Sequence, residues 1–212
     1  MLPYTPEIYL RLFVAYNQAI WPLQLIFTAG FVTALLLSIK KPTIGSRILS
    51  ALLSAAYIVT GFGFYFNFLF DLFWPAPLLF ALCLLQALLL LWKCVILDQL
   101  KVDFSKTTAS IAGISLMVLA IVYYPLISLL SSQNPAQIQF AGLAPLPTLI
   151  LTVGLYLTSV RILPIALIVI PIVLLVFETI HTYLLNDISG MALTAFGLSG
   201  IILLNLGLYF KK

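Results

Sequence analysis

The segment FETIHTYLLND, residues 177–187, contains the side chains with the clearest capacity for chemistry in a largely apolar chain. His181 is the only histidine of the sequence, and Glu178 precedes it by one helical turn. Glu-x-x-His on a helix is the spacing of carboxylate-bridged di-iron sites, but those sites need a second copy of the motif and further glutamates. This chain has one histidine and six acidic residues in all. A transition-metal site would need other side chains to converge on the pair, and no metal or cofactor is predicted.

Two other uses of the pair stay open beside a metal site. Glu178 and His181 could sense a proton or a substrate, or they could be interfacial polar residues that satisfy each other and water. Measured along the helix from Arg161, Glu178 lies roughly 25 Å and His181 roughly 30 Å up the axis. The hydrocarbon core of a bilayer is about 30 Å thick. The pair is therefore expected at the membrane boundary, close to water, which favours the interfacial interpretation.

Other polar side chains are predicted to share this half of the membrane. Asn67 and Asp71 are one helical turn apart at the end of an apolar run, and Pro125 is expected to kink a helix beside two tyrosines. The aromatic run at residues 62–74 is expected to form an interfacial belt and packing contacts rather than a cage for a ligand. The sequence therefore predicts a small outward-facing polar site. Its members are Glu178, His181, Asp71, Asn67, Tyr123 and Tyr124.

The composition identifies the class of protein that must position these residues. The chain has 212 residues, of which 63% are hydrophobic and 8% charged, and its mean hydropathy is +1.20. A soluble domain has about 25% charged residues and could not bury this much apolar surface. The long uncharged runs predict a single integral-membrane domain, residues 1–212, built of helices. The basic residues are scattered at the ends of these runs, so nucleic-acid binding is not expected.

One surface helix and seven membrane-spanning helices account for almost the whole chain. Thr5-Pro6-Glu7 is a typical helix start, and residues 5–18 are expected to form an amphipathic helix at the membrane interface. The predicted fold class is an all-α membrane protein, a bundle of seven transmembrane helices. The predicted spans are residues 19–39, 47–70, 75–97, 108–130, 145–160, 163–185 and 190–210.

The fifth span is short and is interrupted by proline. The stretch from Pro147 to Val160 is shorter than a helix normally needs to cross a bilayer. It can cross if the helix starts near Ala144 or if the bilayer is thinner there. Otherwise residues 141–148 form a re-entrant or broken element. The residues that define this broken-helix segment are Pro145, Pro147 and Thr148.

The distribution of basic residues predicts how the spans are oriented. Of the ten Lys and Arg residues, all except Arg11 follow the first, third, fifth or seventh span, and Arg11 has Glu7 as its partner one turn away. The positive-inside rule therefore predicts an outer N-terminus, a cytoplasmic C-terminus and seven crossings. The residues on the basic side are Lys40, Lys41, Arg47, Lys93, Lys101, Lys106, Arg161, Lys211 and Lys212.

Four segments carry motifs specific enough to compare with known families: YNQAIWPLQ (16–24), FWPAPLLF (73–80), FAGLAPLPTLILTVGL (140–155) and the RILP to NDISG region (161–190). Together they resemble an uncharacterised family of bacterial polytopic inner-membrane proteins, classed as a domain of unknown function. The resemblance covers nearly the whole chain, and Pro145 to Thr148 is its most specific part. It implies a cysteine between those prolines and a histidine in the second span of relatives, where this chain has Leu146 and aromatic residues. It also implies residence in the bacterial inner membrane, and some members carry permease labels.

Two functions from different classes fit these features. A permease-like protein for a small solute is favoured by the seven spans, the broken fifth span and the outer polar site. A non-catalytic accessory or assembly subunit of a larger membrane complex is favoured by the small size, the minimal loops and the apolar helices. An enzyme is not expected, because the chain has no phosphate-binding loop and no nucleophile paired with a base. Glu178 and His181 alone would have to carry any reaction.

The two functions predict different interiors. A transporter should contain a water-filled cavity that reaches mid-membrane and is lined by Gln86, Asn67 or Asn205, whereas a subunit should have a solid core and an apolar face for its partner. The expected partners are the lipid bilayer, other membrane subunits or a second copy of the chain. The permease-like function is the default interpretation of the sequence.

Overall fold

The computed structural model describes the backbone of residues 3–104, 107–131 and 135–210, and the side chains of these ranges except residues 131, 135 and 205–210. Most of the described chain is helical, as predicted. Three π-helical stretches continue or join α-helices: Thr60–Leu69 follows α3, Leu90–Ile96 follows α4, and Leu119–Tyr123 joins α5 to α6. The α-helices are α1 (Pro6–Ala19), α2 (Leu23–Lys40), α3 (Pro42–Val59), α4 (Ala76–Leu89), α5 (Thr108–Val118), α6 (Tyr124–Ser131), α7 (Pro145–Leu157), α8 (Ile165–Leu184) and α9 (Ile188–Phe210).

In the described part of the chain, five helical segments are long and apolar enough to cross a membrane. They are α2, α3 with its π-helical continuation, α4 with its continuation, the α5 to α6 segment, and α8. Two further apolar helices are shorter, namely α7 and the part of α9 that ends at Leu204. Each predicted span overlaps one of these helices, although α2 begins at Leu23 and α3 at Pro42 rather than at residues 19 and 47, and α1 occupies the position of the predicted interfacial helix. The count of seven crossings and their orientation stay predictions.

The helix formed by α5 and α6 changes its hydrogen-bond pattern just before Pro125. A proline has no backbone N–H and its ring crowds the carbonyl one turn earlier, so a regular α-helix cannot continue through it. The backbone accommodates this with the π-helical stretch Leu119–Tyr123, which ends two residues before the proline. The interruption predicted for the fourth span therefore takes the form of a π-helical turn.

Helix α7 lies at the centre of the bundle. Every one of its residues is buried, and so are residues 141–144, which lead into it. Helices α3, α5, α8 and α9 surround it. A helix that is apolar on all sides needs an apolar environment, which for α7 is supplied by the surrounding helices. The short fifth helix is thus the core of the fold.

Helices α5 and α7 cross at two glycines. A Cβ atom on Gly113 would lie 2.6 Å from the carbonyl oxygen of Gly154, and a Cβ atom on Gly154 would lie 2.7 Å from the carbonyl oxygen of Gly113. The two backbones therefore approach to a distance that any larger residue would prevent. Small residues serve this purpose in membrane helices, where close van der Waals packing drives association.

Side-chain and backbone contacts define two ends of the bundle. At the first, which we call the basic end, Arg47 and Arg161 both contact Asp98. The loop after α4 pairs there with the end of α7, since the Val160 amide donates to the Lys101 carbonyl at 3.0 Å. Lys106, Lys211 and Lys212 lie outside the described residues. The opposite end, which we call the tyrosine end, contains Tyr4, Tyr9, Tyr124 and His181.

Candidate functional site

The buried stripe of α8 brings its two ionisable residues into the tyrosine end. Leu167, Leu174 and Leu175 occupy this stripe, and the same helical period places Glu178 and His181 on it. The buried face of the helix is therefore apolar up to Leu175 and then carries a carboxylate and an imidazole. Both groups must find partners inside the protein, because unpaired polar groups are costly to bury.

Two tyrosines from distant parts of the chain supply those partners. Tyr65, in the π-helical continuation of α3, donates its hydroxyl to Glu178 Oε1 at 2.7 Å. The Tyr4 hydroxyl lies 2.9 Å from His181 Nε2. Between them, His181 Nδ1 lies 3.6 Å from Glu178 Oε2. We call these four residues, Tyr4, Tyr65, Glu178 and His181, the buried polar cluster.

Aromatic rings enclose the imidazole. The ring of Tyr9 meets it edge to face with centroids 4.8 Å apart, and the ring of Phe73 stacks on it at 5.9 Å. Glu178 and His181 are each only 4% exposed. The two side chains therefore do not satisfy each other together with water, as the interfacial interpretation expected, and their position at the membrane boundary stays a prediction. The prediction used only the position of the pair along α8. The side chains that shield the pair from water belong to the N-terminal residues and to Phe73.

Tyr4 enters the cluster as a neutral phenol. Burial raises the pKa of Tyr4 above its ordinary value, and the neighbouring Glu178 carboxylate raises it further. The hydroxyl therefore keeps its proton over the physiological range. Two hydrogen bonds from tyrosines and the 3.6 Å contact between Glu178 and His181 therefore give the cluster the form of a structural network.

The six residues of the predicted polar site do not form one site. Asn67, Asp71 and Tyr123 are exposed on the surface. Tyr124 is buried, but its hydroxyl donates to Gln139 Oε1 at 3.2 Å and it lines a different pocket. Only Glu178 and His181 meet directly. Within the described part of the chain, no three His, Cys, Asp or Glu side chains are close enough to hold a metal ion.

Sequence reasoning missed both tyrosines of the cluster. Tyr65 belongs to the aromatic run that was expected to be an interfacial belt, and Phe62, Phe66 and Phe70 of this run are indeed exposed. The i, i+4 period of the buried residues could have marked Tyr65 as inward-facing. Tyr4 has no comparable signal, because it lies before the first helix and its partner is 177 residues away.

The broken-helix segment shows how α7 can begin inside the protein. The first backbone N–H groups of a helix have no intrahelical acceptor, which is costly in a buried position. Pro145 and Pro147 remove two of these donors, because proline has no N–H. The amide of Ala144, the N-cap residue, donates to the Phe140 carbonyl at 2.9 Å. The two prolines therefore reduce the number of donors that the core must satisfy.

Side chains complete the hydrogen bonding of the preceding turn. The Thr148 hydroxyl accepts from the Gly142 amide at 2.8 Å and donates to the Ala144 carbonyl at 2.6 Å. Tyr16, from α1, donates its hydroxyl to the Leu143 carbonyl at 2.8 Å. Non-helical backbone at membrane depth needs partners from the protein or from water in a cavity, and here protein groups supply them. Pro145, Pro147 and Thr148 are thus the residues that anchor the central helix.

Comparison with known proteins gives a family and no activity. No curated protein matches the chain, and no solved structure matches it. A family model described as a family of unknown function (DUF6064) matches residues 6–211. This confirms the resemblance to an uncharacterised family. Because the match covers nearly the whole chain, the protein belongs to DUF6064, a family of unknown function.

Proposed function

We propose that this protein is a non-catalytic accessory or assembly subunit of a larger membrane complex, and that it acts through the surface it presents within the bilayer. It is a multi-pass protein of the bacterial inner membrane that crosses seven times, with the tyrosine end outside and the basic end in the cytoplasm. The observation that carries the proposal is the central helix α7, whose residues are all buried. A helix in this position fills the place where a passage for a solute would run.

The side chain of Gln86 supports a solid interior. Gln86 is fully buried, and its Nε2 donates to the Tyr156 hydroxyl at 2.7 Å and lies 3.4 Å from the Leu167 carbonyl. It therefore links α4 to α7 and α8 as an interhelical hydrogen bond. In a transporter the same residue was expected to line a water-filled cavity. Asn67 is exposed at the surface, and the side chain of Asn205 lies outside the described residues.

The apolar outer surface is suited to lipid and to other membrane proteins. Helix α2 illustrates this, because Phe27 and Phe31 face the bundle while Leu25, Leu36 and Ile39 are exposed. Most contacts of α2 are with α3, so its opposite side is available to a neighbour. A subunit without large loops has little other surface through which to act.

Site-specific photo-crosslinking in native membranes tests the proposal. A photoreactive residue is placed at exposed Leu36 on α2 and exposed Ile180 on α8, with buried Phe31 and Leu175 on the same helices as matched controls. We expect discrete protein adducts from at least one exposed position and none from the buried ones. Mild extraction followed by size analysis and mass spectrometry should recover the same partner in fixed stoichiometry.

The permease-like alternative gives the opposite result in these experiments. A lone protein that forms only lipid adducts at every exposed position contradicts the subunit proposal. Saturable flux of a small solute into proteoliposomes that contain this protein alone would establish the permease. Replacement of Gln86 by Leu should then alter the flux, whereas it should leave the crosslinks of a subunit unchanged.

A further inference from the structure

A pocket with a volume of about 270 Å³ opens at the tyrosine end. It lies between α1, α6 and the turn that joins α8 to α9, and the ring of Tyr9 separates it from the buried polar cluster. The volume is slightly below the roughly 300 Å³ at which pockets begin to hold drug-sized molecules. The pocket is therefore of a size for a small solute.

Asp187 supplies the charge of this pocket. It is the only charged side chain among the described residues that line the pocket. Its Oδ1 accepts from the Ser189 hydroxyl at 2.6 Å and from the Gly190 amide at 3.0 Å, which caps the N-terminus of α9. Both hydrogen bonds of the helix cap go to Oδ1, so the Oδ2 atom of Asp187 takes no part in the cap. A half-buried carboxylate with no basic residue beside it in the lining favours a cationic ligand.

Tyr9 is the independent sign that the pocket takes a ligand. Its side chain lines the pocket and the residue is only 8% exposed. Its ring contacts Phe13, Phe64 and His181, and its hydroxyl, which makes no hydrogen bond to the described residues, is not sealed in the core but reaches the pocket. Because this hydroxyl reaches the pocket, it takes its hydrogen-bond partner from whatever fills the pocket. A ligand in the pocket would provide one.

Tyr124 forms the second aromatic wall of the pocket, and a hydrogen bond holds its side chain in place. Tyr124 is buried, and its hydroxyl donates to Gln139, another residue of the lining. Two tyrosine rings beside a carboxylate are a combination that attracts organic cations through the ring quadrupole and through direct charge pairing. Asp187 and the Tyr9 oxygen are hydrogen-bond acceptors, so they favour a cation that carries N–H donors.

We propose that this pocket binds a small protonated amine between Tyr9, Tyr124 and Asp187. The ammonium group donates to the Asp187 carboxylate and to the Tyr9 oxygen, and the alkyl part contacts the rings. The proposal is independent of whether the protein is a subunit or a permease. It assigns a ligand class to a site that is separate from Glu178 and His181.

To test the proposal, the full-length protein in nanodiscs is titrated with n-propylammonium chloride, and binding is measured by isothermal titration calorimetry. We expect saturable binding to the wild type. The affinity should fall about tenfold in Asp187→Asn, because this variant loses one charge-assisted contact with the ammonium group. Asparagine is as good a helix N-cap as aspartate, so this variant keeps the cap of α9 and removes only the charge. Asp71→Asn, an exposed acid at the same end, should bind like the wild type.

Two further measurements make the proposal easy to overturn. Tyr9→Phe keeps the ring and removes only the hydroxyl, so it should weaken binding by about threefold to tenfold. Propionate, which has a similar carbon chain and the opposite charge, should not compete. The proposal is wrong if propylammonium fails to saturate, if propionate binds equally well, or if Asp187→Asn leaves the affinity unchanged.

Discussion

The two ends of the bundle both pair an acidic side chain with a basic one, but in opposite surroundings. At the basic end, the side chains of Arg47 and Arg161 that flank Asp98 are 50% and 47% exposed. At the tyrosine end, the side chains of His181 and Glu178 are 4% and 5% exposed and lie among aromatic rings. Water can replace either partner at the first end and neither partner at the second.

The distance between an acidic and a basic group therefore says little about how much the pair contributes to the free energy of unfolding. The Arg47–Asp98 contact, at 3.2 Å, is shorter than the His181–Glu178 contact, at 3.6 Å. Exposed ion pairs nevertheless contribute about 0–1 kcal/mol, whereas removal of one partner from a buried pair costs about 3–5 kcal/mol. The buried polar cluster should therefore dominate the stability of its end.

The largest effect is expected from Glu178→Leu. The change leaves the Tyr65 hydroxyl and His181 Nδ1 without their partner in a buried site, so the free energy of unfolding should fall by about 3 kcal/mol or more. Reversible unfolding in mixed micelles measures this. Glu178→Leu combined with His181→Leu should recover part of the loss, because both polar groups are then gone. An unchanged unfolding midpoint in the single variant would contradict the buried cluster.

Tyr65→Phe should have the next largest effect. It removes one hydroxyl that donates to the Glu178 carboxylate and keeps the packing of the ring. The expected loss of unfolding free energy is about 1–2 kcal/mol, above the roughly 0.6 kcal/mol average of interhelical hydrogen bonds in membranes, because the acceptor is a carboxylate. The same unfolding assay applies, with Tyr123→Phe as a control at an exposed tyrosine. Equal effects of the two changes would argue against the assigned contact.

Tyr4→Phe should have a smaller and more local effect. It removes the hydrogen bond that ties the N-terminus to His181 Nε2, which is worth about 0.6 kcal/mol. Since this contact holds the residues before α1 on the bundle, limited proteolysis there should become faster while the other helices stay protected. If the cleavage rate matches that of the wild type, the contact does not restrain the N-terminus.

Arg47→Gln at the basic end should have the smallest effect. The exposed pair with Asp98 contributes about 0–1 kcal/mol, and salt screens it. The unfolding free energy should thus differ slightly from the wild type at low salt and not at all at about 1 M salt. A loss as large as that of Glu178→Leu would remove the contrast between the two ends.

Local chemistry was sufficient to place the helices. Pro6 starts α1 after Thr5, as the Thr-Pro-Glu motif predicts, and Pro145 starts α7 after Ala144. The signals act over a few residues, through the fixed backbone of proline and the length of apolar runs. The candidate site was predictable only in part. Glu178 and His181 stand out by type and spacing, but Asn67 and Asp71 were grouped with them by depth alone, and both are exposed.

By itself, the sequence determined that the chain is helical and apolar, where its helices lie to within a few residues, and which loops are basic. These properties follow from composition and from short periods along the chain. Only the tertiary structure decided that α7 is the buried core, that Tyr4 and Tyr65 are the partners of His181 and Glu178, and that Tyr16 satisfies the Leu143 carbonyl. Such contacts join residues up to 177 positions apart. They depend on which faces of distant helices meet, and no local pattern encodes that choice.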